Sequence, residues 1–357
     1  MGELFFLGSF PPPYGGVAIF NSLLYENFSY HSVRFKTLKV GEEGEDGFSL
    51  ELKKYIKTVK SIEVHSVILD SANIFLEYPT DRVSFYRGYI WCFFKRMRGI
   101  RWIKILHDGT LPDRYQKFSA FQQKFVRTMV NVIDCIVVVN PSLEKWLREI
   151  IGYRKRIEII GSLLPMKEQK QVELSCDIQQ FMERYDKILL TIGTCDESYG
   201  FQQIIQAFKG VKSQTRGMKL GLIAVDGNFS SNGIEYEEKR KKIRQEKDVL
   251  LVSKGMPHEM VMELMRECDV FIRGFSSESY GISRAEAIIC GTPVIATNVG
   301  KIEGMRIYEY GNIEMLTECI LAEVEGKEVR DLSTWKRYYE KEAETNYEIL
   351  INILKEG

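Results

Sequence analysis

The sequence predicts an α/β protein with two doubly wound domains that face a cleft. The prediction rests on the length of 357 residues, the alternation of short apolar segments with amphipathic helical segments, and a polar interruption near the middle. A chain of this length exceeds the size at which one hydrophobic core keeps growing, so two domains are expected. Parallel strands joined by helices form sheets covered on both faces, which bind ligands beyond the carboxyl ends of their strands.

Six apolar segments in the first half have the length and composition of strands. They are LFFLG from Leu4, SVRFKTL from Ser32, HSVILD from His65, WIKILH from Trp102, DCIVVVN from Asp134 and RIEII from Arg156. Helical spacing separates them, as after Val17, where apolar residues recur three and four positions apart. Residues 1–165 are therefore predicted to form an N-terminal Rossmann-like domain.

A polar stretch at residues 166–177 lacks strong periodicity and is predicted to be a linker. The alternation then resumes with KILLTIG from Lys187, LGLIAVDG from Leu220, VLLVS from Val249, CDVFIRG from Cys268 and PVIAT from Pro293. Residues 178–334 are predicted to form a second Rossmann-like domain. Residues 335–357 have the length and pattern of a closing helix.

Composition excludes several classes of protein. The 49 basic and 49 acidic side chains give a formal net charge of zero, which argues against a nucleic-acid-binding protein. The seven cysteines are scattered and never spaced C-x-x-C, so a reduced cytoplasmic chain without a structural metal site is expected. We expect neither a signal peptide nor a membrane span, because the N-terminus lacks a basic region and no window reaches roughly 18 uncharged apolar residues.

Two glutamates, Glu278 and Glu286, are eight residues apart at a predicted strand-to-helix junction. The strand ends near Gly274 and an apolar helix begins soon after Gly281, so Glu278 is expected in the loop and Glu286 inside the helix. Unpaired N–H groups at a helix N-terminus attract anions, and carboxylates accept hydrogen bonds from sugar hydroxyls. The pair fits a ligand with phosphate and hydroxyls, while a first-turn glutamate that only complements the helix dipole is the structural alternative.

The segment ESYGISRAEAIICGTPVIATNVG resembles the E-x7-E signature of retaining glycosyltransferases of family four, which have the two-domain GT-B fold. Other features follow in the family's order: Gly15-Gly16 after the first strand, HDG at 107–109, DCIVVVNPSL, and GMPHEMVMELMRECDVFI before the signature. The resemblance covers nearly the whole chain, and it implies that residues 1–165 are the acceptor domain and residues 178–334 the nucleotide-sugar donor domain. It also implies that the closing helix crosses back towards the N-terminal domain.

The resemblance implies a retaining, metal-independent hexosyltransferase without a cofactor. Such an enzyme moves a sugar from a nucleotide diphosphate sugar to a hydroxyl of a glycan or lipid-linked acceptor, in surface polysaccharide or glycoconjugate synthesis. Glu278 would bind the hydroxyls of the donor sugar, and Glu286 would bind the ribose of the nucleotide. The backbone amides that would hold the diphosphate belong to Ser279, Tyr280 and Gly281.

Two further sites follow from the resemblance in the first domain. Gly15 and Gly16 would permit a close approach of backbone to the donor, and a plain turn after three prolines is the alternative. His107, at a strand end, would act near the donor sugar or the acceptor. A histidine that only bonds a loop is the alternative for that residue.

The sequence departs from the family pattern where cations are expected in the donor site. Gly193 is kept at the end of the first strand of the second domain, but Thr194 stands at the position of an arginine and Tyr199 at that of a lysine. Neutralisation of the departing diphosphate is the main electrostatic requirement of this reaction. Arg273 is the predicted substitute, and Lys254 and Arg284 are weaker candidates. For Arg273, a structural arginine that pairs with an interdomain carboxylate is the alternative.

Residues 82–104 combine seven basic and seven aromatic residues with no acidic residue. This composition predicts either contact with an anionic membrane surface or a core helix with a basic solvated face. The face expected to touch a membrane consists of Trp91, Phe93, Phe94, Lys95, Arg96 and Arg98. Membrane contact would suit a lipid-linked acceptor.

The missing cations leave two other functions open. One is a sugar-nucleotide epimerase or phosphorylase with the same fold, although a phosphorylase would need a lysine or a basic cluster that is not evident. The other is a catalytically silent GT-B subunit that binds a nucleotide sugar or a partner transferase.

Overall fold

The computed structural model describes residues 4–11, 15–30, 35–39, 66–71, 99–165, 171–215, 217–227, 234–253, 255–326 and 331–356, with isolated positions between 53 and 95. The chain divides into two compact units. Unit 1 takes in residues 1–11, 17–163 and 344–357, and unit 2 takes in residues 12–16 and 164–343. The closing helix thus contributes residues to both units.

Unit 1 contains a six-stranded parallel sheet within its described residues. Its strands are β1 (Leu4–Gly8), β2 (Phe35–Lys39), β3 (Val67–Asp70), β4 (Arg101–Leu106), β5 (Cys135–Val138) and β6 (Arg156–Ile159). They lie in the order β2-β1-β3-β4-β5-β6, with each neighbouring pair parallel. Each strand overlaps one of the six predicted segments, because apolar runs of this length are buried on both faces of a parallel sheet.

Helices cover the sheet of unit 1, and local side chains cap the N-termini of two of them. They are α1 (Gly16–Tyr30), α2 (Leu111–Gln116), α3 (Ala120–Val132) and α4 (Pro141–Trp146), which continues as a π-helical turn over Leu147–Ile151. Ser119 and Gln122 form a reciprocal capping box at α3. The Asn140 side chain accepts a hydrogen bond from the Leu143 amide at α4.

Unit 2 contains a second six-stranded parallel sheet within its described residues. Its strands are β7 (Lys187–Gly193), β8 (Leu220–Asp226), β9 (Val249–Val252), β10 (Val270–Arg273), β11 (Val294–Thr297) and β12 (Arg306–Tyr308). The order is β12-β11-β10-β7-β8-β9, with all neighbouring pairs parallel. Strand β12 is absent from the predicted set, because three residues at a sheet edge are too few for a periodic signal.

The helices of unit 2 alternate with its strands. They are α5 (Cys176–Met182), α6 (Phe201–Gln214), α7 (Ile234–Arg244), α8 (His258–Glu267), α9 (Ile282–Ile289), α10 (Ile313–Val324) and α11 (Leu332–Lys355), with a 3₁₀ turn at Glu197–Tyr199. Helix α5 begins inside the segment predicted as a linker, of which residues 166–170 lie outside the described residues. Among the described helices, none is long and apolar enough to cross a membrane.

Candidate functional site

The candidate site lies at the carboxyl ends of β7 and β10 in unit 2. Strand β7 has β8 on one side and β10 on the other, so successive connections leave it in opposite directions. Parallel sheets bind ligands at such a reversal of strand order. Gly193 ends β7, Arg273 ends β10, and the loop with Glu278 leads from β10 into α9.

Arg273 and Glu278 form a partly buried ion pair at this strand end. The Nε of Arg273 donates to Glu278 Oε2 over 3.0 Å, and Nη1 donates to the Ile192 carbonyl oxygen over 2.7 Å. The two side chains are 11% and 12% exposed. Burial acts to lower the pKa of Arg273, but the charge of Glu278 and the nearby Tyr199 outweigh it, so that pKa is raised.

An aromatic residue, Tyr199, stands at the position of the expected lysine and contacts a second aromatic ring. The rings of Tyr199 and Phe275 are stacked with centroids 4.2 Å apart, and the Arg273 guanidinium lies 5.0 Å and 5.2 Å from them. Tyr199 also packs on Gly193, where an added Cβ would lie 2.3 Å from Tyr199 Cδ1. Thr194, just after β7, is partly buried. The tyrosine at the lysine position thus supports the one arginine that ends the neighbouring strand.

Gly281 caps the N-terminus of α9 in a conformation that favours glycine. Its φ is 99°, and an added Cβ would lie 2.9 Å from Arg284 Cδ and 3.3 Å from Glu278 Cγ. Ser279, between the glutamate and the cap, is partly buried. The predicted start of this helix soon after Gly281 is confirmed, and the tight turn sets Glu278 beside the two arginines.

Arg284 is fully buried, and its guanidinium donates hydrogen bonds mainly to backbone carbonyl oxygens. Its guanidinium donates to the carbonyl oxygens of Val299 and Lys301 and to Thr297 Oγ1, and it lies 3.9 Å from Glu278 Oε2. Burial, and secondarily the charge of Arg273, lowers its pKa to about 10, against the opposite effect of Glu278. A residue in this position cannot be the exposed diphosphate cation that the sequence offered as a weaker candidate.

Tyr280 ties the loop to the first half of α11. Its hydroxyl donates to Glu342 Oε2 over 2.9 Å, and the Lys301 amide donates to the Tyr280 carbonyl over 2.9 Å. The Nζ of Lys301 in turn donates to Glu342 Oε1 over 2.7 Å and to the Tyr338 hydroxyl over 2.8 Å. Sequence analysis misses this contact, because a helix 60 residues away carries no local signal of its partner.

Glu286 lies on α9, 3% exposed, and contacts a histidine on α8. Its Oε1 is 2.7 Å from Nε2 of His258. Sequence analysis assigns His258 no role, because nothing near it in the chain indicates a carboxylate partner. The remaining predicted donor residue of this unit, Lys254, lies outside the described residues.

The glycines Gly15 and Gly16 are exposed, and an added Cβ at either position would meet no atom within 4 Å. This open space is compatible with a close approach of a ligand and equally with a plain turn.

In the part of the chain that the structure describes, no group of three or more His, Cys, Asp or Glu side chains is arranged to hold a metal ion.

His107 follows β4 in unit 1 and is a neutral imidazole. Its ring meets the ring of Phe20 edge to face at 4.6 Å, and its buried Nε2 has no hydrogen-bond partner among the described residues. Burial, and secondarily the charge of Lys104, lowers its pKa to about 3. Lys104 itself is buried 3.6 Å from Asp70. An unpartnered imidazole nitrogen at a strand end can accept or donate one further hydrogen bond.

The basic aromatic stretch divides between surface and core. Tyr86, Tyr89 and Phe93 are 51%, 51% and 60% exposed, whereas Trp102 is buried. Lys95 was predicted to lie on the membrane face, but its ammonium group is partly buried. It pairs with Asp134 and donates to the Ile100 carbonyl oxygen, and burial lowers its pKa. The other residues predicted for that face, which lie outside the described residues, are Trp91, Phe94, Arg96 and Arg98.

One family model matches a part of the second unit. Residues 178–307 match the model of the family Glycosyl transferases group 1. The trehalose synthase of Pyrococcus horikoshii is 26% identical over 214 residues, which are 57% of this chain and 49% of that protein. The N-acetyl-alpha-D-glucosaminyl L-malate synthase of Bacillus anthracis is 25% identical over 198 residues, 54% of this chain and 48% of that protein. The chain spans about half the length of these curated relatives.

Solved structures resemble the whole chain in fold. HepE of Anabaena, in complex with UDP and glucose, has a TM-score of 0.72 and 16% identity, with 100% of both chains covered. Sucrose-phosphate synthase of Thermosynechococcus elongatus has a TM-score of 0.66 and 16% identity, with 98% of this chain and 95% of that chain covered. The predicted fold class is confirmed: the chain has the GT-B fold of two parallel-sheet α/β domains, and residues 178–307 match the Glycosyl transferases group 1 model.

Proposed function

We propose that this protein is a retaining glycosyltransferase that moves a sugar from a nucleotide diphosphate donor to a hydroxyl acceptor. The observation that carries the proposal is the Arg273–Glu278 pair at the reversal of strand order, inside the matched family domain. The pair sets a carboxylate suited to sugar hydroxyls beside a cation suited to a diphosphate.

The donor would be bound by groups along the loop and helix that follow β10. Glu278 accepts hydrogen bonds from the sugar, Glu286 binds the ribose, and Arg273 neutralises the leaving diphosphate. The amides that receive the diphosphate are those of Ser279, Tyr280 and Gly281. Because HepE was solved with UDP and glucose, UDP-glucose is the first donor to test.

The reaction proposed needs neither a cofactor nor a metal. The acceptor hydroxyl attacks on the face from which the nucleotide leaves, through an oxocarbenium-like state, and the departing phosphate takes the proton of the acceptor. His107 would give one hydrogen bond to the donor sugar or the acceptor through its unpartnered nitrogen. Gly15, Gly16, Gly193 and Thr194 would line the donor with backbone and small side chains.

The test is release of nucleotide from individual donors. The protein is incubated with UDP-, GDP- and ADP-sugars, and free nucleotide and the anomeric form of the sugar are measured. We expect slow hydrolysis of one donor with retained configuration, and Glu278→Gln should reduce it under conditions where the variant remains folded. Glu318→Gln, on the exposed side of α10, is the matched control.

The same assay separates the alternatives. Base-dependent isomerisation without release would indicate an epimerase. Binding without turnover would indicate a silent subunit. Binding is visible by thermal shift, because ligand at about 100 times its dissociation constant adds roughly 2.7 kcal/mol to stability. If no nucleotide sugar binds, the proposal fails.

A lipid-linked acceptor in surface polysaccharide or glycoconjugate synthesis, reached by a cytoplasmic protein peripherally attached to the membrane, is part of the proposal. The exposed Tyr86, Tyr89 and Phe93 support it, because exposed aromatic side chains beside basic residues suit an anionic interface. The protein should co-sediment with vesicles of anionic lipid and dissociate as salt rises over the range that screens such contacts. Replacement of the three aromatics by serine should abolish binding, whereas binding of that variant at wild-type level would contradict the contact.

A further inference from the structure

The carboxylate of Glu286 is held from one side by a helix other than its own. Its Oε1 is 2.7 Å from His258 Nε2. Within the described part of the chain, Oε2 of Glu286 makes no hydrogen bond. The group is therefore half satisfied: one oxygen is engaged with an imidazole, and the other retains its capacity to accept.

The position of His258 is set by rigid structure. It is the first residue of α8, directly after Pro257, whose φ of −52° and ψ of 145° determine how the chain enters the helix. Helix α8 is joined to α9 and the turn after it, because Cys290 Sγ donates to the Met262 carbonyl oxygen at 3.6 Å and Thr292 Oγ1 donates to that of Met265. Both partners of the pair therefore lie on packed helices, which hold side chains better than loops do.

The chemistry of the pair limits how it works. An ionised carboxylate only accepts hydrogen bonds, so Nε2 of His258 must carry a proton, in either the neutral Nε2–H form or the imidazolium. A nearly buried carboxylate without such a donor would be costly to keep ionised. The histidine thus satisfies one oxygen of the Glu286 carboxylate and limits the rotation of the carboxylate plane.

We propose that His258 is a positioning residue for ribose recognition, which holds Glu286 so that Oε2 accepts from the ribose hydroxyls of the donor nucleotide. The inference rests on the proposed function, because it assumes that Glu286 binds ribose. His258 acts through Glu286 and does not itself touch the ligand.

A purely structural pair and a positioning pair differ in one measurable property. If His258 only satisfies a buried carboxylate, its removal lowers stability and leaves nucleotide selectivity unchanged. If it positions Glu286, its removal lowers the preference for a ribonucleotide over its 2′-deoxy counterpart. A glutamine carries an amide N–H close to the position of Nε2 and should preserve that preference, whereas leucine has the size but no donor.

The experiment is calorimetric titration of UDP, GDP and ADP, followed by the 2′-deoxy form of the nucleotide that binds most tightly. Wild-type protein should prefer the ribonucleotide by about tenfold or more, the usual size of one hydrogen bond to a charged group. Glu286→Ala and His258→Leu should both lose most of this preference, and His258→Gln should retain it. Glu259→Gln, at an exposed position next along α8, is the matched control and should behave as wild type.

The outcomes separate the inference from the proposed function. Loss of preference in Glu286→Ala together with a wild-type preference in His258→Leu would overturn the role of His258 and leave the ribose site standing. A wild-type preference in Glu286→Ala, or no binding of any nucleotide to wild-type protein, would overturn the ribose site itself. If His258→Leu does not fold, His258→Asn replaces it: asparagine is too short to reach Glu286, so equal preferences in the asparagine and glutamine variants would contradict the proposal.

Discussion

The strand ends of the two units satisfy their polar groups in different ways. In unit 2 the charge of Arg273 is paired with Glu278, and the carboxylate of Glu286 contacts the imidazole of His258. In unit 1, His107 is neutral and its buried nitrogen has no partner among the described residues. A buried charge without a partner costs far more than a buried neutral group. A ligand would therefore have to exchange partners in unit 2, whereas it could simply add a hydrogen bond in unit 1.

The largest effect is expected from Arg273→Ala, which removes the cation of the Arg273–Glu278 ion pair in unit 2. Turnover should fall by about 10²-fold or more if this arginine is the principal leaving-group cation. Steady-state kinetics with the best donor measures the effect. Arg306→Ala is the control, because it removes a similar ion pair, with Glu323, from the start of edge strand β12. If both variants lose activity equally, the effect of Arg273 is only structural.

The buried, neutral imidazole of His107 predicts a dependence of the free energy of unfolding on pH. The folded pKa of His107, about 3, lies below its ordinary value of 6.5. Between these values the unfolded chain binds more protons, so this contribution is present above pH 6.5 and is lost as pH falls towards 3. Between pH 7.5 and 5 the loss should be on the order of 2 kcal/mol.

Urea unfolding of wild type and His107→Gln at both pH values measures this term. The difference between the two proteins isolates the histidine from the many carboxylates that titrate in the same range. The free energy of unfolding of the variant should fall less on acidification. Parallel losses in the two proteins would show that His107 is accessible to protons in the folded state.

Two glycine substitutions, one in each predicted donor loop, compare how much the backbone conformation of each loop contributes to stability. Gly281→Ala should destabilise the protein by about 1–2 kcal/mol, because a left-handed φ disfavours any Cβ, and the added carbon would also press on Arg284. Gly16→Ala meets open space and should leave the melting temperature unchanged. If Gly16 contacts the donor, that variant should still lose donor affinity in calorimetry. Unchanged affinity would reduce Gly15-Gly16 to a turn.

The smallest effect concerns the contact between the signature loop and α11. Tyr280→Phe removes the hydrogen bond to Glu342 and should lower the free energy of unfolding by about 1 kcal/mol. Tyr338→Phe is the control, because the hydroxyl it removes belongs to a side chain exposed to solvent. Urea unfolding compares the two. Equal losses would indicate that the contact of Tyr280 adds nothing specific to the loop.

Local sequence was sufficient for most of the fold and for part of the site. The strands were predictable because buried parallel strands are continuous apolar runs, and the loop was predictable because Gly281 begins a helix directly after a strand. Arg273 and Glu278 are five residues apart, yet sequence analysis expected an interdomain partner for Arg273, and the structure pairs the two residues. Their roles in catalysis stay predictions.

Contacts between distant segments could not be predicted in this way. Lys95 belongs to a run that is basic by composition, yet it pairs with Asp134 on another element. Arg284 is charged by sequence, yet the carbonyl oxygens that surround it come from the segment after β11. In each case the deciding partner lies more than ten residues away, and a single sequence carries no signal for that pairing.

The sequence by itself determined where most strands and helices and the glycine-capped loop lie, because apolar periodicity and backbone conformation are properties of neighbouring residues. The tertiary structure alone decided which side chains are partners there: His258 with Glu286, Tyr280 with Glu342, and Tyr199 under Arg273. The physical reason is that burial forces polar groups to find partners, and which partner is within reach depends on how helices and strands distant in sequence pack.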